Sequence, residues 1–191
     1  MTMSELPPVW LLDVDGVVNA TASRGDRTVW PLEAWHRDEV TDLDGDVYPV
    51  LYADPVLNFL RVVHERGAAE VRWHTTWQHS APQRLAAALG LPDWPVAVAP
   101  EFTDKHDSGY EESGWVPVGA RWWKLGAAVR VGEQEGRRLV WTDDDLNAER
   151  RWPGSELREY LKRADLLAVS PPSNVGLTPK NLRTVAAFLD L

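Results

Sequence analysis

The chain is built from short, continuous apolar runs separated by amphipathic stretches, and the first run sets the frame for the rest. Val9 to Val14 is apolar except at Asp13, and a brief apolar run without polar alternation suits a parallel strand covered on both faces. Asp13 and Asp15 follow two apart, so on an extended chain their side chains leave on the same face, and Gly16 permits the sharp turn that ends the strand. Residues 20–27 are small, polar and Gly-containing, as in an exposed loop. Thr28 to Trp35 and Val47 to Tyr52, separated by Asp42-Leu43-Asp44-Gly45-Asp46, predict a β-hairpin. Asp54-Pro55 opens a helix, with Asp as cap and Pro in the first turn, that reaches about Glu65 before Gly67 ends it. Ala69 to His74 is a second core strand running straight into Thr75-Thr76-Trp77. A helix from about Ser80 to Leu89, closed by Gly90, leads to a third strand over Pro95 to Ala99.

Residues 100–119 read as a long loop, and long loops in compact domains are often functional. A helix over 120–134 precedes a fourth strand, Arg137 to Thr142, which ends in Asp143-Asp144-Asp145. Ser155 to Arg163 predicts a helix and Leu166 to Ser170 a fifth strand; Thr178-Pro179 then opens a helix that runs to the last residue. This β-α-β-α-β order predicts an α/β fold, a three-layer, doubly wound (Rossmann-like) parallel sheet of about five strands with a small β-hairpin. In such sheets ligands bind in the crevice at the carboxyl ends of the strands. Asp13 and Asp15, Thr75 and Thr76, and Asp143 to Asp145 all fall at predicted carboxyl ends.

Composition narrows the class. With 191 residues and 44% hydrophobic content, one well-packed domain over residues 1–191 is expected. Cysteine is absent, which excludes disulfides, thiolate metal sites and a Cys nucleophile. No signal peptide or membrane span is expected, and the reading is of a soluble, cytoplasmic protein. A net charge of −9 disfavours bulk attraction to an extended nucleic-acid tract and leaves room only for a local basic site. Eleven tryptophans are unusual. Most are expected in the core, although Trp73, Trp77, Trp122 and Trp123 lie near the predicted site and are candidates for stacking a base.

Two carboxylates sharing one small site are costly unless a cation sits between them or one holds a proton, so Asp13 and Asp15 call for a divalent metal, acid/base work, or both. The competing reading is an ordinary Asp-Gly turn. Asp13-Val14-Asp15-Gly16-Val17-Val18-Asn19 resembles motif I, the DxDGxxN form, of the haloacid dehalogenase-like (HAD) phosphohydrolase superfamily. The resemblance implies Asp13 as the nucleophile attacking phosphorus, Asp15 as general acid/base, and backbone N–H groups after Asp13, at Gly16 among others, as phosphate donors. Family motif II is similar to Trp73-His74-Thr75-Thr76-Trp77, which implies a hydroxyl donor to the phosphoryl group at Thr75, with Thr76 the competitor. Motif III, a Lys early in the helix before the fourth strand, is matched by Lys124, with Arg121 and Lys105 as rivals. Motif IV resembles Leu139-Val140-Trp141-Thr142-Asp143-Asp144, implying that Asp143 and Asp144 hold Mg²⁺ together with Asp13 and the Asp15 backbone carbonyl; three consecutive aspartates leave the register open by one, and Asp145 is assigned to capping.

The resemblance implies a Mg²⁺-dependent phosphatase working through an aspartyl-phosphate. The intervals from Asp13 to Thr75 and from Thr75 to Lys124 are filled largely by core elements, so a capless or minimally capped enzyme is expected, with its flap at about 20–53. An open site suits a nucleotide, a nucleic-acid terminus or another phosphorylated molecule, and the Trp-x-Thr-x-Trp segment at 73–77 is similar to that of capless HAD domains associated with bacterial RNA repair. A phosphotransferase or mutase using the same nucleophile, and a non-catalytic binding module that keeps the fold, are the alternatives. His74 and His79 are five apart, which is not the spacing of helical zinc ligands; they are read as structural or substrate-facing. Asn174 to Leu177 is a rim loop, and the sequence leaves the oligomeric state open.

Overall fold

The computed structural model describes residues 6–97, 122–153 and 155–191. The loop expected over 100–119, and with it Lys105 and Arg121, lies outside the described residues. Four parallel strands form the main sheet: β1 (Val9–Leu12), β4 (Glu70–Trp73), β5 (Leu139–Thr142) and β6 (Leu166–Val169), in the order β4-β1-β5-β6. All four residues of β1 and all four of β5 are buried, as continuous apolar strands between two paired neighbours must be.

Side-chain alternation along β1 divides the core. Trp10 and Leu12 join a cluster with Leu57, Leu60 and Val63 of helix α1 (Asp54–Glu65), Leu85 and Leu89 around helix α2 (Ala86–Leu89), and Leu182 and Val185 of helix α6 (Pro179–Phe188). Val9 and Leu11 join a second cluster with Leu125 and Ala128 of helix α3 (Trp123–Val129) and Leu157 and Tyr160 of helix α5 (Leu157–Tyr160). The sheet therefore has apolar residues to bury on both faces, which is what an α/β arrangement supplies. The short helix α4 (Leu146–Glu149) follows β5. Among the described residues no helix is long and apolar enough to cross a membrane.

Several elements differ from the sequence expectation. The strand over Pro95 to Ala99 is reduced, within the described residues, to one parallel bridge between Val96 and Trp73, with Trp73 N–H donating to Pro95 O (2.9 Å) and Ala97 N–H to Trp73 O (2.7 Å). Pro95 has no N–H to give, so the pairing cannot extend back through it; among the described residues the sheet has four strands, and residues 98 and 99 of the expected strand lie outside them. The hairpin is present as a separate two-stranded sheet, β2 (Trp35–Thr41) and β3 (Val47–Ala53), but its first arm begins where the expected one ended. Arg37, Asp38 and Glu39 lie in the middle of β2 and are exposed, so the arm shows no apolar pattern to read. Its turn is as expected: the Asp42 carboxylate accepts from Asp44 N and Asp46 N, both at 2.9 Å, which is the Asx geometry of a self-capped turn.

Helix ends also shift. Ala53, not Asp54, occupies the α1 cap position, and the Asp54 carboxylate instead meets His36 Nε2 at 2.9 Å. The stretch expected as one helix over Ser80 to Leu89 begins as a π-turn (Ala81–Leu85) before α2, and Gly90 closes it in the left-handed region (φ 59°), where a glycine carries no steric penalty. The predicted Ser155–Arg163 helix contracts to the single turn of α5. At α6 the Thr178 cap is present in full, with Asn181 completing a reciprocal capping box.

Candidate active site

Strand register assembles the site. Leu12 pairs with Trp73 on one side and Thr142 on the other, so the three strands end level. The residues just past those ends, Asp13, His74-Thr75 and Asp143, are locked by ladder bonds: Asp13 N–H to Thr142 O (3.1 Å), His74 N–H to Leu12 O (2.8 Å) and Asp143 N–H to Val169 O (3.0 Å). Trp10 Nε1 donates to Thr142 Oγ1 at 3.0 Å, a buried cross-strand bond one residue below the site.

Lys124, in the first turn of α3, reaches down to this edge. Its ammonium donates to Asp13 Oδ2 and to Asp143 Oδ2, both at 2.7 Å, and all three side chains are nearly inaccessible. Val14 N–H donates to Asp13 Oδ1 (2.7 Å) and Asp145 N–H to Asp143 Oδ1 (3.0 Å), so each carboxylate has both oxygens engaged. The Thr75 hydroxyl favours the ionised Asp13 carboxylate, a smaller effect than that of Lys124, and Trp77 N–H approaches Thr75 Oγ1 at 3.4 Å. Thr75 is fully buried, whereas its competitor Thr76 is exposed.

Three acids and one ammonium leave an excess of negative charge. Burial pushes Asp143 up to about 7, against the pull of Lys124 and with the help of Asp13. Burial, then Asp145 and Asp13, raise Asp144 to about 6. Asp13 is also raised, by burial, with Lys124 opposing. Burial pulls Lys124 down, but Asp13 and Asp143 outweigh it and hold the lysine above its ordinary value. Ligand atoms of Asp13, Asp143 and Asp144 lie within 4.8 Å of one another. Clustered hard oxygen donors with unbalanced negative charge fit a divalent cation such as Mg²⁺.

Asp15 faces a different set of partners. Asn19 Nδ2 donates to its Oδ1 at 2.7 Å and the Trp77 indole N–H to its Oδ2 at 2.9 Å. Asn19 in turn ties this carboxylate to the hairpin, accepting from Leu51 N–H at 2.8 Å. The Asp15 side chain is thus held apart from the three clustered carboxylates. The Gly16 N–H donates to Asn19 O (2.8 Å) in closing the turn. Gly16 adopts φ 73°, and a Cβ there would strike the Asp144 carboxylate, so glycine is what lets Asp144 approach the loop. Asp145 stands at the α4 cap position, but its side chain makes no capping bond; the capping role expected for it is not observed.

The tryptophans separate as well. Trp73 is completely buried, packed against Trp94 at 5.2 Å, and cannot stack a base. Trp122 stacks on Trp141 (5.3 Å, 19°), and Trp123 meets His74 edge-on (5.4 Å). Lys124 Nζ lies 5.8 and 5.7 Å from the Trp122 and Trp123 rings, in cation–π range. Trp77 is half-buried, with the exposed Tyr48 of β3 against it at 5.3 Å. His74 is fully buried, and burial followed by the Lys124 charge holds it well below its ordinary pKa, as a neutral ring. Asn19 and Ser170, whose hydroxyl donates to Asp144 O at 2.8 Å, received no role from the sequence, and Trp77 was read as a stacking candidate, not as a donor to Asp15. Asn19 and Trp77 stood inside the two motifs that carried the resemblance, and that was the available signal; for Ser170 there was none beyond its place at a strand end.

No curated protein and no solved structure matches the chain. A family model does: that of the HAD domain in Swiss Army Knife RNA repair proteins matches residues 9–182, and the chain belongs to that family.

Proposed function

We propose that this protein is a Mg²⁺-dependent phosphatase that hydrolyses a phosphomonoester, at a nucleic-acid end or on a nucleotide, through an aspartyl-phosphate on Asp13. One observation carries the reading. Lys124 bridges Asp13 and Asp143 at 2.7 Å each, beside Thr75 and Asp144, although these groups come from four separate stretches of chain. Family membership supports the reaction class, and the description of that family supports a nucleic-acid end as substrate.

In this reading Asp13 attacks phosphorus in line, a bond forms from its carboxylate oxygen, and the bond to the leaving oxygen breaks. Asp15 gives that oxygen a proton and then removes one from the water that hydrolyses the aspartyl-phosphate, releasing inorganic phosphate; such acid/base service is worth ~10²–10⁴ in rate. Lys124 and Thr75 donate to the equatorial oxygens. Asp13, Asp143, Asp144 and the Asp15 backbone carbonyl would hold Mg²⁺, which supplies charge neutralisation and alignment of the phosphate. Residues 1–191 then form one doubly wound, HAD-like domain, with about 20–53, including β2 and β3, as its minimal cap.

Release of phosphate from p-nitrophenyl phosphate and from a panel of nucleotides and 3′- or 5′-phosphorylated oligonucleotides tests this. Activity is expected with Mg²⁺, is lost with EDTA, and is lost in Asp13→Asn. Equal inactivity of wild type and variant across the panel would sink the proposal.

A further inference from the structure

A basic surface stands next to the candidate site. Arg150, Arg151 and Arg158 line one shallow depression of about 380 Å³. Among the described residues none of the three pairs with a carboxylate; Arg158 donates only to the Arg150 carbonyl, at 3.3 Å from Nε and from Nη2. In a chain of net charge −9, three guanidiniums left without acids concentrate positive potential at one place. Trp152, 57% exposed, adjoins them in sequence.

The surface connects to the proposed chemistry. Arg150 also lines a second cavity of about 190 Å³ with Leu146, Asn147 and Ser170, and the Ser170 hydroxyl holds the Asp144 carbonyl. Arg150 follows Asp144 by six residues, which even fully extended span no more than about 20 Å. Chemistry then selects the occupant. Guanidiniums bind phosphate oxygens in a fork and carry no alternative acceptor, and an exposed indole offers a face on which an unstacked base can lie.

We infer that Arg150, Arg151 and Arg158 bind backbone phosphates of a single-stranded nucleic acid, a few nucleotides from the end presented to Asp13, and that Trp152 stacks one of its bases. The inference rests on the phosphatase reading for the position of the terminal phosphate, but the binding surface is testable without turnover. It also accounts for a substrate that an acidic protein does not attract in bulk: the attraction is confined to a few phosphates.

The test uses direct binding to the full chain carrying Asp13→Asn, with a fluorescent single-stranded 10-mer RNA bearing a terminal phosphate, a 2-mer, and a phosphoserine peptide as probes. The 10-mer is expected to bind at least tenfold more tightly than the 2-mer or the peptide. Each neutralised phosphate of a single strand contributes about 0.7 to the slope of log K against log salt, so R150Q/R151Q/R158Q is expected to lower the slope by about 2. The same triple change in the otherwise wild-type chain is expected to leave kcat/KM for p-nitrophenyl phosphate within twofold. Should the triple variant fold poorly, R151Q alone carries the expectation at about 0.7. An unchanged slope, equal affinity for 10-mer and 2-mer, or equal affinity for the peptide overturns the inference. Loss of turnover on every ester, with length- and Arg-dependent binding intact, would instead strike only the phosphatase reading.

Discussion

Lys124 illustrates how one residue can be decisive in a crowded site. Its ammonium stands among two buried acids and the half-buried Asp144 and touches Asp13 and Asp143 at 2.7 Å each, so Lys124→Met leaves Asp13 and Asp143 facing each other without that charge. Breaking a buried pair from one side costs about 3–5 kcal/mol, and chemical denaturation of the metal-free variant at pH 8 is expected to show a loss of that order. Removing a donor aimed at the phosphoryl group is expected to cost a further ~10²–10³ in kcat. Trp77 offers a finer contrast, because Phe keeps an aromatic ring beside Tyr48 but removes the five-membered ring whose N–H donates to Asp15. A hydrogen bond to a charged group is worth about 1.5 kcal/mol, or roughly tenfold. In Trp77→Phe, kcat/KM for a nucleoside monophosphate, whose alkoxide must be protonated as it leaves, is expected to fall about tenfold. For p-nitrophenyl phosphate, whose leaving group needs no proton, it is expected to stay within twofold. Equal losses on both esters would assign Trp77 to packing alone.

Elements were legible in proportion to how completely they are buried. β1 and β5 have every side chain inside, and their apolar runs show in the sequence to within a residue or two. β2 has one buried residue in seven; backbone pairing with β3 holds it, and side-chain pattern carries no trace of such pairing. The one-turn helices α4 and α5 are shorter than any stretch over which 3.6-residue periodicity can be counted. The site follows the same logic. Carboxylates at strand ends were readable because β1 and β5 were, while the Lys124 bridge and the Asn19–Asp15–Trp77 chain depend on register and loop geometry that only the folded chain fixes. Helix α1 gives the element-level prediction. Leu60 is fully buried against the Trp10–Leu12 face whereas Val62 is 37% exposed, so in urea denaturation Leu60→Ala is expected to cost about 2–5 kcal/mol and Val62→Ala no more than about 0.5 kcal/mol. Equal costs would mean that α1 presents a different face to the sheet.

Across the whole molecule, folding gathers acids that the unfolded chain keeps apart, and this links stability to pH and metal together. Asp143 rises from 3.8 unfolded to about 7 folded and Asp144 to about 6. Between those values the folded state binds more protons than the unfolded one, so these two groups make the metal-free protein less stable as pH rises, an effect complete above about 7. His74 works in the opposite sense: held neutral well below 6.5, it removes stability as pH falls through the unfolded value. Glu70, Glu135 and Asp165 are held below their ordinary carboxylate values by their arginine partners, so the stability they add is lost as pH falls. A simple comparison of melting temperatures at two pH values therefore mixes opposing terms, but the shift on adding Mg²⁺ isolates the carboxylates, since His74 is not among the clustered acids. At pH 5.5 the cation must displace a proton from Asp143 whose pKa is about 7, which weakens apparent affinity by roughly thirtyfold, or about 2 kcal/mol. In a chain of this size that is about 4–8 °C. Saturating Mg²⁺ is expected to raise Tm by at least that much more at pH 8 than at pH 5.5, and Asp143→Asn is expected to shrink the difference to the smaller part that Asp144, raised to about 6, supplies. A Mg²⁺ shift that is equal at both pH values, or larger at pH 5.5, would show that the cation does not bind at these carboxylates.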